Sequence, residues 1–226
     1  MYKKARELHL PRASNNLGVL YINNPYMSES NPNSKVDKSE INYENMQKGK
    51  KYLEEAQLEG FPQAFYNLGC IYESGSIGKK DLEEALLCFY NGGLKNDHLC
   101  RLKFAYQLIN QTSIMKEEYE DHYRIAYRWL ENIVHKINIS EENSSYSGNS
   151  GIYNIYTADE KAEALFYLGL MHEYGFGVEK GAKKAFSFFL QSADMKYAPA
   201  KNKLGDCYFS GYGTREDRKL AMGCYL

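Results

Sequence analysis

His172 and Glu173 are the residues that most invite a chemical reading. A His-Glu pair followed by a second histidine four residues after the first sets two zinc ligands and a general base on one helix face. The residue four beyond His172 is Phe176, so the spacing excludes a zinc protease. The other histidines, His9, His98, His122 and His135, are scattered without ligand spacing, and no resident metal is expected. Gly175, Gly177 and Gly181 resemble a phosphate-binding loop, but a dinucleotide fingerprint needs its third glycine where Lys180 stands, directly after a strand. No Gly-x-Ser-x-Gly elbow is present, so a serine triad has no support either. The chain is therefore read as having no catalytic residue, no metal and no cofactor.

Cys70, Cys88, Cys100, Cys207 and Cys224 are odd in number and include no Cys-x-x-Cys pair, which removes zinc ribbons and thioredoxin chemistry. Cys70 with Cys88, and Cys207 with Cys224, could staple helix pairs in an oxidising compartment. Cys207 alternatively falls in a core column with Ile71 and Met171 and reads as a buried small hydrophobe. Asn110, Asn138 and Asn143 open Asn-x-Ser/Thr sequons. Each lies in or beside an expected loop, where a glycan is tolerated.

The composition belongs to a folded domain. The 226 residues are 43% apolar and 25% charged, enough to build a core. Lys and Arg number 28 against 29 Asp and Glu, a formal charge of -1. Counterion release could then contribute little to nucleic-acid binding, so no nucleic acid is expected. No apolar run approaches the ~18 residues of a bilayer span, so no direct membrane insertion is expected. Lys3, Lys4, Arg6 and Glu7 open the chain without a following apolar stretch, so no secretory leader is read here.

Internal repetition must then position everything else. Leu68-Gly69, Leu168-Gly169 and Leu204-Gly205 each follow an alanine four or five residues upstream. Each leucine is followed by a glycine at an offset of seven, at Gly75, Gly175 and Gly211, and by an alanine at seventeen, at Ala85, Ala185 and Ala221. Ala164, Leu168 and Met171 form one helical stripe, and Ala185, Phe188, Phe189 and Ala193 form an opposing face. The intervening glycines supply positive φ for a stop and turn. Each unit is thus two helices that cannot bury their stripes alone, so stacking is obligatory.

The units run over about residues 12–60, 61–97, 98–136, 158–197 and 198–226. The third is degenerate, with Phe104-Ala105 in the leucine-glycine place. Insertions are expected at 23–42 and 138–157, and the second helix of unit one at 43–59. The last unit stops five residues past Ala221, which suggests a piece of a longer protein. The expected fold is all-α, a right-handed α/α solenoid of two-helix, tetratricopeptide-like repeats.

Unit four, Ala164 to Val178 with Gly169, Gly175 and Gly177 and then Lys184-Ala185, resembles the Sel-1-like repeat, a two-helix unit with a longer Gly-x-Gly-Val loop than the tetratricopeptide. The succession Gly60 to Leu68, degenerate Leu102 to Tyr106, and Lys203 to Asp206 with Phe209, Gly211, Gly213 and Thr214 is similar to the luminal Sel-1-like adaptors of endoplasmic-reticulum-associated degradation. That resemblance implies a non-catalytic scaffold in the endoplasmic reticulum lumen, holding a membrane ubiquitin ligase and meeting luminal lectins. The two insertions depart from the adaptor pattern. The alternative is a cytosolic Sel-1-like scaffold that activates or localises another enzyme, of the chitin-synthase-regulator kind. In either case the partners are other proteins, and the expected binding face is the concave side of the first helices. Its candidates are Tyr66, Asn67 and Glu73 in unit two, Tyr167 and Glu173 in unit four, and Lys203, Asp206 and Phe209 in unit five.

Overall fold

The structure, a computed structural model, describes residues 10–24, 38–110, 119–142 and 157–226. Among these residues ten α-helices follow one another, with no strand. They are α1 (Pro11–Asn23), α2 (Lys38–Leu58), α3 (Pro62–Ser74), α4 (Leu82–Leu94), α5 (His98–Asn110), α6 (Glu120–Glu142), α7 (Ala158–Tyr174), α8 (Ala182–Asp194), α9 (Ala198–Ser210) and α10 (Arg218–Tyr225). The chain divides into two compact units, Met1–Cys100 and Arg101–Leu226.

In the first unit, α1 packs on α2, α2 on α3 and α3 on α4. Helices α1 and α2 approach closely at Gly18 and Gly49, where a methyl built on either would come within 2.8 Å of the other's carbonyl oxygen. Side chains there would hold the two backbones apart. Leu53, Leu68, Ile71, Ile77 and Cys88 form the core, with Val19, Ile22, Met46 and Tyr72 around it. Asp81 caps α4, its carboxylate accepting from the amides of Glu83 and Glu84, which satisfies donors the first turn leaves open.

In the second unit, α6 packs on α7, α7 on α8, α8 on α9 and α9 on α10. Ala164, Leu168 and Met171 are all buried, as are Ala185 and Phe189 across from them. The buried Ser192 hydroxyl donates to the Ala162 carbonyl at 2.6 Å, tying α8 to α7. Thr157 and Glu160 close a reciprocal capping box at the start of α7. Gly175 and Gly211 end α7 and α9 at φ +82° and +71°, the left-handed geometry that a Cβ disfavours.

The seat formed by the first-helix glycine recurs. Phe89 lies against Gly69, Phe189 against Gly169 and Tyr225 against Gly205, each ring occupying the space of a Cβ. The small residue thus receives an aromatic ring from its own second helix, twenty positions later each time.

Three expectations need adjustment. Helix α2 begins at Lys38, so residues 38–42, read as the end of an insertion, are helical. Helix α6 continues to Glu142, so residues 138–142, read as the start of a loop, are helical too. Of the rest of the two insertions, read at 23–42 and 138–157, Asn23 ends α1, Asn24 is its C-cap and Thr157 is the N-cap of α7, while 25–37 and 143–156 lie outside the described residues. All five cysteines are free, so neither staple is formed, and Cys207 is buried among Ala185 and Phe189.

Candidate functional site

Tyr66, Asn67 and Glu73 lie on α3, in the first unit. Tyr66 is half-buried with its ring 6.2 Å from that of Phe89. Burial, then the neighbouring Cys70 thiol, pushes its hydroxyl up to about 12. The Asn67 amide donates to the Asn15 Oδ1 at 2.9 Å, and Asn15 is itself buried. Asn67, Cys70 and Ser74 line a cavity of about 230 Å³ whose floor is Val19, Ile22, Leu53 and Ile71. Glu73, directly before Ser74, is half-buried.

The remaining candidates lie on α7 and α9, in the second unit. Lys203 Nζ is 2.9 Å from Glu173 Oε1, with both side chains about a fifth exposed. The ammonium also stands 6.0 Å from the centre of the Tyr174 ring. Burial pulls the Lys203 pKa down, but the hydrogen bond and charge of Glu173 outweigh it, and the net shift is upward. Glu173 Oε2 and the Tyr212 hydroxyl are both buried without a partner among the described residues. Asp206 is exposed and accepts from the Tyr225 hydroxyl at 2.7 Å. Phe209 is exposed, with the Arg218 guanidinium 5.9 Å from its ring centre.

Tyr167 differs from the expectation of a surface contact. It is only 5% exposed, and its hydroxyl donates to Glu163 Oε1 at 2.7 Å. Burial, then the Glu163 charge, drives its ionisation well above the ordinary phenol range. Its ring is 6.2 Å from that of Tyr106 on α5, and Tyr197, the N-cap residue of α9, lies within electrostatic reach of both. A group from three successive first helices is thus formed by Tyr106, Glu163, Tyr167 and Tyr197. Of these only Tyr167 was singled out from sequence, because the others occupy different columns of the repeat.

His172 is 3% exposed. Its Nδ1 is 3.2 Å from the Glu179 carbonyl and its Nε2 is 3.3 Å from the Tyr127 hydroxyl. Both ring nitrogens thus have a hydrogen-bonding group within reach. The ring stacks on Phe188 at 5.6 Å. This histidine joins α6, α7 and the loop after α7.

Among the described residues no group of three or more His, Cys, Asp or Glu is arranged to hold a metal ion, and no helix is long and apolar enough to cross a membrane. Asn110 is exposed at the end of α5, its amide donating to the Tyr106 carbonyl at 2.9 Å. Asn138 lies inside α6 rather than in a loop, and Asn143 is outside the described residues.

The Sel1 repeat matches residues 62–97, 162–197 and 198–226. A comparison with curated proteins gave no match. Among solved structures, a Sel1 repeat protein from Oxalobacter formigenes is similar with a TM-score of 0.61 and 22% identity, covering 95% of this chain and 71% of that one. A protective antigen of uropathogenic Escherichia coli displaying an SLR fold is similar with a TM-score of 0.40 and 16% identity, over 99% of this chain and 54% of that one. The match falls on the helix pairs in which an aromatic ring sits on a first-helix glycine, and these three stretches of the chain are thus Sel1 repeats.

Proposed function

We propose that this chain is a non-catalytic scaffold that binds other proteins. The observation that carries the reading is the joining of Tyr106, Glu163, Tyr167 and Tyr197 from three successive first helices into one half-exposed polar and aromatic group. Tyrosine supplies large contact area at low rotamer entropy, and such residues concentrate binding energy. Sel1 repeats generally serve protein-protein interaction, and the fold is one in which function lies on a surface rather than at a reacting centre.

The more specific reading is a luminal adaptor of endoplasmic-reticulum-associated degradation that meets a membrane ubiquitin ligase and luminal lectins. It is supported by the similarity of Gly60 to Leu68 and Lys203 to Thr214 to those adaptors, and by the exposure of Asn110. A second reading, a cytosolic scaffold that activates or localises another enzyme, is favoured by the five free cysteines, three of them buried, because thiols persist in reducing compartments. Crosslinked affinity purification of the tagged protein from its own cells, read by mass spectrometry, decides between them. Recovery of a multispanning ubiquitin ligase with lectins establishes the first role. Recovery of cytosolic proteins alone discards it in favour of the second.

A further inference from the structure

The carboxylate of Glu163 is held and aimed without being neutralised. The Tyr167 hydroxyl donates to Oε1 at 2.7 Å, which fixes the group and leaves Oε2 and one side of Oε1 open to a further donor. Among the described residues no lysine, arginine or histidine forms an ion pair with it. The Tyr167 ring that holds it lies 6.2 Å from that of Tyr106, which is 37% exposed, and the half-buried Tyr197, its ring 5.5 Å from that of Phe166, lies within electrostatic reach of Glu163. Lys103 Nζ, three residues earlier on the same helix, stands 5.4 Å from the centre of the Tyr106 ring, so that ring face is one a cation can occupy.

We propose that Glu163, with the Tyr106 and Tyr197 rings beside it, binds an arginine side chain presented by the partner polypeptide. The inference rests on the protein-binding reading and names the chemistry of its occupant. A guanidinium is flat and only weakly hydrated, so it stacks on a phenol face while its forked donors meet the carboxylate. An ammonium is a compact, strongly hydrated point charge and makes only half of that contact. Charge complementarity favours the cation over an acidic or purely apolar segment, because covering Glu163 with either would strand a carboxylate out of water. Tyr167 is a positioning residue here, since it holds Glu163 and is itself buried.

The test is selection of random peptides of about 12 residues, displayed on phage, against the whole protein. The selected sequences are then synthesised with arginine, citrulline or lysine and measured by fluorescence anisotropy. The expected result is a shared arginine whose exchange for citrulline, which keeps the shape and removes the charge, weakens binding about tenfold, the loss of one charge-assisted pair. Glu163→Gln in the protein should produce a similar loss, with no additional loss when both changes are combined. Should Glu163→Gln fail to fold, the citrulline exchange on the unaltered protein, together with Tyr106→Ser, carries the test; the latter is expected to weaken binding at least threefold while Tyr106→Phe does not. Peptides that share no arginine, that prefer lysine, or that bind Glu163→Gln as tightly as the original overturn the proposal and leave the scaffold reading intact. A selection that enriches nothing counts against both.

Discussion

The ring of Phe189 fills the space that a side chain at Gly169 would need: a methyl there would come within 2.6 Å of Cδ1. This relationship sets how near α8 comes to α7, and Phe89 with Gly69 and Tyr225 with Gly205 repeat it. Gly169→Ala should therefore destabilise the protein by about 2 kcal/mol, the range for overpacking a fitted core. Gly223→Ala is the control, because its methyl meets nothing within 4 Å and a helical alanine should gain about 0.5–1 kcal/mol. Urea unfolding followed by circular dichroism measures both, and equal effects at the two sites would contradict the seat.

Lys196 is held at φ +66°, where Gly60 and Asn96 stand in earlier units at φ +79° and +65°. A lysine there costs about 1 kcal/mol relative to glycine. Lys196→Gly should raise the unfolding free energy by roughly 0.5–1 kcal/mol, while Gly211→Ala, at φ +71°, should lower it by about 1 kcal/mol. The expected readout is a shift in urea midpoint at unchanged slope.

Alkaline pH should unfold the protein for a reason that can be assigned to particular groups. Tyr66 and Tyr127 are pushed up to about 12 by burial first and neighbouring groups second, and Lys203 is raised by Glu173 against its burial. Each raised group contributes stability that is complete below its unfolded pKa near 10 and is lost as pH climbs through the folded value. Stability should thus fall progressively between about pH 10 and 12. Phenolate absorbance should show Tyr66 and Tyr127 ionising with unfolding, and a native titration of every tyrosine near pH 10 would contradict this.

The thiols should divide into two classes. Cys88 and Cys207 are pushed up to about 11, and Cys100 higher still, mainly by burial, whereas Cys70 and Cys224 are half-exposed. Since the thiolate is the reacting species, a dithiobenzoate reagent should label Cys70 and Cys224 in the native protein and the other three only in denaturant. Protein purified without reductant should release five thiols on denaturation; a count of one or three would show disulfides that the structure does not contain.

The repeat was legible because stacked helix pairs demand the same small and large residues at fixed offsets. Leu168, Gly169, Gly175 and Ala185 do their work within one unit, so spacing alone located them. The aromatic seat was only half visible: Gly169 signalled close approach, but the occupant is a phenylalanine in two units, Phe89 and Phe189, and Tyr225 in the third, so the column changes identity. The group around Glu163 was hidden for another reason. Tyr106 comes from the degenerate unit and Tyr197 precedes its helix, so no periodicity connects them and only folding brings them together. Tyr167 read as a surface residue because its burial comes from neighbouring units rather than from its own stripe. The early start of α2 and the late end of α6 were obscured by Asn and Ser, whose weak helix propensity is a prior that context overrides.

The central claim is that the first-helix surface binds proteins. Quantitative mass spectrometry of material copurifying from native cells with the tagged protein, and with a Tyr106→Ser/Glu163→Gln form whose thermal midpoint is unchanged, tests it most directly. The account predicts a defined set of proteins enriched with the original and reduced at least tenfold with the variant. Recovery identical for the two, or no enrichment over the tag alone, would contradict it.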